Sequence, residues 1–505
     1  MSQPARSFFA SSRLTLVITL VVLFGLGLGI RLFDLTDLPL DFHPTRQLLS
    51  ALKARGMYYQ SNPGVPDWQR KMAVQQWKTK AEVEPEVFER LVAYTYRFTG
   101  EQLWVARIYS SLFWLIGAGF LFMLAKELFS FDAAVAAAAY FLFLPYAITA
   151  SRSFQPDPLM VMLILFFCWS FRRWTRGQSW GWAILAGIVG GLAIYIKFVS
   201  AFFVIGGALG LLVGAFPLRE ALRKVQLWLT AVLGFLPGAA YIFYGVVLHG
   251  FLGKQFGGRF IPALLLSPLN YVQWAVMASM AAGVLGICLG LIGLFFVRER
   301  GTRLFLYGLW AGYVLFGLFF DYHVATHDYY HLPLIPIAAI SLAPVADWTL
   351  SRLRELTTTR FAQAAATLIL LGGLATGVWD TRNQMKQVDY RPQAAFWAQI
   401  GDLLQHGHNV VALTEAYGDP LAYWGWQDAL IWPNSGDIDY HTARGASVDL
   451  EGQFQKVRRG EAYFLVTDFA ELDRQPTLKQ DLSGFSVYAK GQGYIIYDLQ
   501  RPLAP

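Results

Sequence analysis

Long uninterrupted runs of apolar residues limit how this 505-residue chain can fold more than any other feature of its sequence. Most runs are about 18 to 22 residues long, and about 20 apolar residues form a helix that crosses the hydrocarbon core of a bilayer. Charged residues make up 15% of the chain, whereas soluble domains carry about 25%. The sequence therefore predicts a polytopic α-helical membrane protein and excludes an ordinary soluble enzyme or a disordered chain.

Eleven transmembrane helices are predicted from these runs. They cover residues 14–33, 104–125, 132–149, 158–171, 180–196, 199–216, 227–248, 272–297, 304–320, 332–348 and 361–379. If the N-terminus is cytoplasmic, most Lys and Arg residues near the spans fall in the cytoplasmic segments, as the positive-inside rule requires. The expected location is therefore the cytoplasmic membrane, with the C-terminal segment on the outer side.

Two outer segments are long under this topology. Residues 34–103 contain amphipathic stretches at 45–59 and 86–98, which are typical of helices lying on the membrane surface. We predict a transmembrane domain over 1–379, with 34–103 as its first outer loop, and a small extracytoplasmic α/β domain over 380–505.

The α/β prediction for the tail comes from shorter apolar runs. Runs of strand length occur at residues 410–414, 462–467, 485–488 and 494–499, and a helical pattern occurs at 393–405. Short apolar strands that alternate with helices indicate a mixed α/β fold.

The first group of candidate site residues follows the first span directly. Asp41 and His43 lie at the predicted outer interface, and Arg46 lies in the amphipathic stretch after them. A carboxylate at the mouth of an apolar cavity can act as a general base. Alternatively, Asp41 caps a helix that begins near Pro44. The spacing alone does not decide between the two.

A second carboxylate lies on the same side of the membrane. Asp157 stands between two prolines in the short outer loop that also contains Arg152. Two carboxylates and an arginine at one depth suit a site that binds a polar head group. From spacing alone, Asp157 as the N-cap of the fourth span is the stronger interpretation.

Three of the eight histidines lie in the outer loop before the tenth span. His323, His327 and His331 have i, i+4, i+8 spacing, which permits a metal site on one helical face. The alternatives are an aromatic-rich interfacial loop, or a loop whose Tyr329 and Tyr330 hydrogen-bond a phosphate or a sugar.

Isolated cations near the spans also require an explanation. Lys197 suits either a membrane-surface anchor or a partner for a lipid phosphate. Arg107, inside the second span, needs a partner such as Glu84 or Glu86. Arg259, in a glycine-rich loop, is a further candidate for phosphate binding.

Together these features resemble the GT-C glycosyltransferases, and in particular glycosyltransferase family 39, which includes protein O-mannosyltransferases and the transferases that add aminoarabinose to lipid A. The resemblance covers roughly residues 14–350. It rests on Asp41, Glu84-Pro85, Gly100-Glu101, Ala106-Arg107, Gln155-Pro156-Asp157, Lys197 and the run His327 to Pro333. One departure is that many relatives carry adjacent Asp-Glu where this chain has Asp41-Phe42-His43, so His43 and Arg46 are candidates for the missing partner.

The resemblance implies an inverting transferase that takes a sugar from a polyprenyl phosphate and passes it to a protein, lipid or glycan acceptor. Asp41 would be the base and Asp157 its positioning partner. The implied substrate-binding residues are His43, Arg46, Glu84, Arg107, Arg152, Lys197, Arg259, His327, Asp328, Tyr329 and Tyr330. No cofactor is implied with certainty, the need for a divalent metal stays open, and no nucleic acid is expected.

Two other functions remain open at this point. One is a transporter or flippase for a lipid-linked sugar, and the other is a non-catalytic membrane subunit in the assembly of cell-envelope glycans. Transporters often carry internal repeats and polar sites at the bilayer midplane. This sequence shows no repeat and its polar residues collect at one face, which favours the enzyme.

Overall fold

A computed structural model describes residues 7–10, 12–253, 259–356, 360–407 and 409–503. In chain order the first helices are α1 (Arg13–Leu32), α2 (Pro44–Gln60), α3 (Asp67–Thr79), α4 (Val87–Thr99), α5 (Trp104–Leu128), α6 (Phe131–Phe143), α7 (Pro145–Ala150), α8 (Asp157–Gly177), α9 (Trp180–Ile196), α10 (Ser200–Ala215), α11 (Leu218–Ala221) and α12 (Val225–Phe243), which a π-helical turn at Tyr244–Leu248 extends. The later helices are α13 (Pro268–Ala282), α14 (Val284–Phe296), α15 (Arg300–Phe319), α16 (Asp321–Thr326), α17 (Leu334–Leu356), α18 (Arg360–Met385), α19 (Pro392–Leu403), α20 (Asp419–Trp424), α21 (Ser435–Ala443), α22 (Leu450–Gly460), α23 (Phe469–Arg474) and α24 (Pro476–Ser483).

The contacts divide the chain into two compact units. The helical unit comprises the described residues of 1–36, 81–88 and 104–388. The sheet-containing unit comprises those of 37–80, 89–103 and 389–505. This grouping places most of residues 34–103, the predicted first outer loop, with the C-terminal segment, whereas the sequence-based division at 379 assigned it to the transmembrane domain. The sequence-based boundary stays a prediction.

Several helices of the helical unit have the length and composition of membrane spans. Within the described residues, α1, α5, α12 with its π turn, α15 and α17 meet both criteria, and a sixth span results if α13 and α14 count as one. Helices α6, α9 and α10 are equally apolar but shorter. The structure therefore supports a multi-pass membrane protein, while the count of eleven spans is not confirmed.

The predicted span at 272–297 is not one continuous helix, because the chain bends there by 95° between α13 and α14. Gly283, at the bend, has a φ of +71°, which residues with a side chain rarely adopt. The segments before and after Gly283 are both apolar, so hydropathy alone gives no sign of the break.

A seam of glycines lets α10 and α15 approach closely. A Cβ atom added to Gly206 would overlap the backbone of Gly308, and one added to Gly210 would overlap the backbone at Leu304 and Phe305. Small residues spaced four apart give close helix contacts in membranes, where the hydrophobic effect does not drive helices together. The seam fixes α10, which begins three residues after Lys197.

The break between α6 and α7 is stabilised by side chains from other helices. The proline that begins α7 has no N–H, so the carbonyl of Phe141 lacks its helical donor. The Trp114 indole donates to that carbonyl at 3.0 Å. Arg31, at the end of α1, donates to the carbonyl of Leu142 at 3.0 Å and to the Ser151 hydroxyl at 2.7 Å. These bonds anchor the loop that leads to Asp157.

A five-stranded sheet forms the centre of the other unit. Its order is β2-β1-β3-β5-β4, with β1 parallel to β2 and β3 and with β5 antiparallel to β3 and β4. The strands are β1 (Val410–Leu413), β2 (Leu430–Ile431), β3 (Tyr463–Val466), β4 (Phe485–Gly491) and β5 (Tyr494–Pro502). Four strands lie where the sequence predicts them. The two-residue β2 was missed because it is too short and too exposed to leave a pattern.

Alternate residues of the sheet face two cores. Val410 and Ala412 pack with Trp397 and Ile400 of α19, whereas Val411 packs on the opposite face against α22 and α24. Helices therefore cover both faces of the sheet, as the near-continuous apolar character of β1 and β3 indicates.

Helices α2 and α3 join this unit through a buried arginine. The bounds of α2 and α4 agree to within one residue with the amphipathic stretches predicted at 45–59 and 86–98. Helix α3 was not predicted. Arg55 of α2 donates to Gln76 of α3 at 2.6 Å and to the carbonyl of Ala422 in α20 at 3.0 Å. Its guanidinium carbon lies 3.9 Å from the Trp426 ring centroid. Arg55 thus connects the neighbouring helices α2 and α3 with α20, which is far from both in sequence.

The glycine seam yields a test of packing. Gly308→Ala should lower the free energy of unfolding by about 1–3 kcal/mol, because the new methyl group overlaps the backbone of α10. Gly119→Ala on α5 is the matched control, since a Cβ there meets no atom within 4 Å. Thermal unfolding in detergent checks both variants, and an equal effect of the two would contradict the seam.

Candidate active site

Lys197 ends α9 and is buried, with only 6% of its surface exposed. Its Nζ lies 2.9 and 3.1 Å from the two carboxylate oxygens of Asp157. The same Nζ lies 3.6 Å from Oε1 of Glu84. A buried ammonium is stable only when it is paired. Lys197 is therefore part of a charged cluster, and its interpretation as a surface anchor is wrong.

Asp157 is the first residue of α8 and is 1% exposed. The N-cap position belongs to Pro156, and no side chain caps this helix end. The interpretation of Asp157 as the N-cap is therefore wrong, and its carboxylate serves as the main partner of Lys197. Its place in the first turn is also favoured by the positive end of the helix dipole.

The loop before α17 brings two tyrosines to the same lysine. Tyr329 and Tyr330 lie in a 3-10 turn at Asp328–His331. Their ring centroids are 5.5 and 5.7 Å from the Lys197 Nζ. Cation–π attraction at such distances is favourable when the cation is desolvated. His327 packs on Tyr329 with ring centroids 5.6 Å apart.

The structure thus brings together residues from four separate parts of the sequence. The residues of this cluster are Glu84, Asp157, Lys197, Tyr329 and Tyr330, and we call it the Lys197 cluster. Tyr146 was missed by the sequence analysis, although it lies within electrostatic reach of Asp328 and Asp157. It stands in an apolar run, where a single tyrosine gives no signal.

The three-histidine metal site is wrong. Helix α16 ends at Thr326, so the histidines do not share one helical face. The rings of His323 and His327 stack at 5.8 Å, while His331 is bonded elsewhere. No group of three metal-ligating side chains occurs among the described residues, which include all three of these histidines.

His331 helps to hold the loop in place through a directed chain of hydrogen bonds. The Trp274 indole donates to the Tyr313 hydroxyl at 2.8 Å. That hydroxyl is 2.7 Å from Nδ1 of His331, and Nε2 is 2.8 Å from the carbonyl of Val324. Because an indole only donates and a carbonyl only accepts, we assign a neutral His331 with its proton on Nε2. Burial lowers the pKa of His331 to about 4.

Other predicted residues lie around this loop or near the helix ends. Burial, followed by the charges of Arg259 and His327, lowers the pKa of His323 to about 3, so Arg259 is close to the loop. Arg152 is 2% exposed and donates to the backbone carbonyl of Asp34 at 3.0 Å. Arg107 is 1% exposed within α5.

Asp41, His43 and Arg46 belong to the sheet-containing unit. Asp41 is half-buried and accepts a hydrogen bond from Nε2 of Gln47 at 3.3 Å. The N-cap of α2 is His43, with a φ of +45°, and no side chain caps the helix. The interpretation of Asp41 as a helix cap is therefore wrong. Arg46 lies in the first turn of α2.

Known structures share the architecture described above. A crystal structure of ArnT from Cupriavidus metallidurans bound to undecaprenyl phosphate matches with a TM-score of 0.59 and 17% identity, over 96% of this chain and 98% of that chain. The apo oligosaccharyltransferase of Archaeoglobus fulgidus matches with a TM-score of 0.55 and 13% identity, over 90% of this chain and 70% of that one.

This chain has the GT-C fold. The resemblance to GT-C glycosyltransferases of the family 39 type is confirmed. Residues 83–244 match the family model for dolichyl-phosphate-mannose-protein mannosyltransferase, and this stretch contains three members of the Lys197 cluster. A search of curated protein sequences finds no match.

The Lys197 cluster should be sensitive to the loss of its cation. Lys197→Met leaves the buried carboxylate of Asp157 without its cation, and breaking a buried pair costs about 3–5 kcal/mol of unfolding free energy. Arg352→Met is the control, because it breaks a 2.7 Å pair with Glu355 that is mostly exposed, and such pairs contribute about 1 kcal/mol or less. Thermal unfolding in detergent measures both variants. Similar losses for the two variants would contradict a buried, energetically important cluster.

Acid should destabilise the protein through His331. Between pH 6.5 and about 4 an unfolded His331 takes up a proton that the folded one does not, so stability is lost as the pH falls through this range. The loss is about 3 kcal/mol at most. His331→Gln should reduce the shift of the unfolding midpoint between pH 7.5 and 4.5, whereas His441→Gln, at an exposed histidine, should not. Equal shifts in both variants and the wild type would contradict this role.

Proposed function

We propose that this protein is an inverting glycosyltransferase that moves a sugar from a polyprenyl-phosphate donor to an acceptor at the outer face of the cytoplasmic membrane. The observation that carries the proposal is the buried Lys197 cluster in a chain with the GT-C fold. Its ammonium, with the rings of Tyr329 and Tyr330 nearby in space, suits the phosphate that leaves when the sugar is transferred.

Lys197 supplies the positive charge in this proposal. An ammonium has three N–H donors. The Lys197 ammonium donates hydrogen bonds to the carboxylate of Asp157. Asp157 and Glu84 hold the lysine in place, and a phosphate oxygen of the donor takes a remaining N–H. Such a charge, already oriented before the reaction, stabilises the developing negative charge without reorganisation.

Asp41 acts as the general base. Its carboxylate takes the proton from an acceptor hydroxyl or amine, and the acceptor atom then attacks the anomeric carbon on the face opposite the phosphate. The bond between the anomeric carbon and the phosphate oxygen breaks, and its electron pair leaves with the polyprenyl phosphate. The configuration at the anomeric carbon is inverted, and no covalent enzyme intermediate forms.

The remaining cations bind the donor in this account. Arg259, near the loop that carries Tyr329 and Tyr330, is assigned to the lipid phosphate together with Lys197. Arg46 and His43, beside Asp41 in sequence, are assigned to the polar part of a substrate. ArnT, whose fold this chain shares, was crystallised with undecaprenyl phosphate, which supports a donor of that class.

The sheet-containing unit is assigned to acceptor selection. A cavity of about 450 Å³ lies beside the ends of β1 and β2, lined by Tyr417, Trp432, Asp437 and His441 among others. Ligands of sheets with parallel strands often bind beyond the carboxyl ends of those strands. Aromatic and carboxylate side chains in one cavity suit a hydroxyl-bearing acceptor.

One observation favours the alternative of a transporter for a lipid-linked sugar. Transporters often contain discontinuous helices, and α13 and α14 are separated by a 95° bend. A transporter would move the donor across a membrane without cleaving it, so measuring donor cleavage separates the two functions.

Donor cleavage is therefore the test. The purified protein is incubated in detergent with radiolabelled polyprenyl-phosphate sugars, and release of polyprenyl phosphate is measured. Asp41→Asn should lower the rate about 100-fold or more, since general-base catalysis contributes about 10²–10⁴-fold. Asp67→Asn is the control, because Asp67 is an exposed carboxylate of the same outer loop.

Release of polyprenyl phosphate that is equally fast in Asp41→Asn would remove Asp41 from the base role. Binding of donors without release from any of them, even with acceptors added, would favour the transporter. Failure of every donor to bind would contradict the proposed function as a whole.

A further inference from the structure

Gln155 is fully buried, two residues before Asp157. Neither its amide nitrogen nor its amide oxygen has a hydrogen-bond partner in the described part of the chain. Nearly all buried polar atoms in proteins are hydrogen-bonded, and leaving one unpaired costs folding free energy. A glutamine with both ends unpaired therefore suggests a partner that is not part of the chain.

Ser200, three residues after Lys197, shows the same feature. It is the first residue of α10, is fully buried and has a hydroxyl without a partner among the described residues. Its backbone N–H donates to the carbonyl of Lys197 at 2.9 Å, so its place next to the lysine is fixed.

Both residues are close to the Lys197 cluster. Two residues of extended chain span at most about 7 Å and three at most about 11 Å. Gln155 is two residues from Asp157 and Ser200 is three from Lys197, while Asp157 and Lys197 are in direct contact. Two unpaired polar groups therefore flank the same ion pair.

The chemistry of the unpaired atoms limits the class of ligand. An amide oxygen only accepts hydrogen bonds and an amide nitrogen only donates them, while a serine hydroxyl does both. A phosphate accepts without donating, and an ammonium donates without accepting, so either would leave one end of Gln155 unpaired. Neighbouring hydroxyl groups donate and accept at once, as on a sugar ring.

We propose that the Gln155 amide and the Ser200 hydroxyl bind hydroxyl groups of the donor sugar, next to the lysine that takes its phosphate. This inference rests on the proposed function and adds a recognition element for the sugar to it. The two residues are substrate-binding groups with no part in the proton transfer.

The experiment compares ligands with and without the sugar. Binding of decaprenyl-phosphate mannose, glucose, galactose and arabinose, and of decaprenyl phosphate alone, is measured on the full-length protein in detergent. Gln155→Met should lower the affinity for the best-bound sugar donor about tenfold and leave the affinity for decaprenyl phosphate unchanged. Ser200→Ala should have the same selectivity with a smaller effect.

Stability separates this role from a structural one. Methionine is close to glutamine in shape, so Gln155→Met removes unpaired polar atoms and should leave the unfolding midpoint unchanged or raise it. Gln226→Met is the matched control, because Gln226 accepts a hydrogen bond from Trp174 at 3.1 Å and donates one to the carbonyl of Gln178 at 2.8 Å. It should lower the midpoint and leave donor binding unchanged.

Three outcomes would overturn the inference. Equal binding of the sugar donors by Gln155→Met and the wild type would show that an internal water, or the acceptor, is the partner. If Gln155→Met lowers the affinity for decaprenyl phosphate as much as the affinity for the sugar donor, the sugar is not what Gln155 recognises. A lower unfolding midpoint in Gln155→Met would assign it a structural role. If the wild type binds no donor at all, the proposed function fails first, so the two failures are distinguishable.

Discussion

The helical unit is organised around one electrostatic requirement, which is that Lys197 is buried and must be paired. Removing an ammonium from water costs several kcal/mol unless carboxylates lie within a few ångströms. Asp157 meets this requirement directly and Glu84 from slightly farther away. The three segments that carry these residues must therefore keep their relative positions. They are the end of α9 with Lys197, the start of α8 with Asp157 and the segment before α4 with Glu84.

Packing farther along the chain maintains that arrangement. The glycine seam between α10 and α15 fixes the segment just after Lys197. The hydrogen bonds of Arg31 anchor the loop just before Asp157. The chain of hydrogen bonds through Tyr313 and His331 holds the loop that carries the two tyrosines. Each contact holds a different segment that contributes to the cluster, so the charged groups stay oriented without a ligand.

The elements that the sequence predicts well are those governed by local patterns. Apolar run length predicted a multi-pass helical membrane protein, and short apolar runs predicted β1, β3, β4 and β5. The bend at Gly283 was missed because glycine is common in apolar helices and only its φ identifies a break. The two-residue β2 has no pattern of its own and exists because β1 pairs with it.

The candidate site was predicted as residue types but not as an arrangement. Lys197 and Asp157 were each assigned an ordinary alternative, a surface anchor and a helix cap, because spacing along the chain does not show that they meet. Gln155 stood out only as part of the motif Gln155-Pro156-Asp157, and Ser200 gave no signal. An unpaired amide or hydroxyl is defined by what surrounds it in three dimensions. Such features follow from tertiary packing, which one sequence does not reveal.

The central claim is that Lys197 receives the phosphate of a polyprenyl donor. Its most direct test is an experimental structure of the protein with polyprenyl phosphate bound. The account predicts a phosphate oxygen at hydrogen-bond distance, about 3 Å, from the Lys197 Nζ, with Asp157 still in contact with the lysine. A phosphate held elsewhere, with the Lys197 cluster closed to it, would contradict the account.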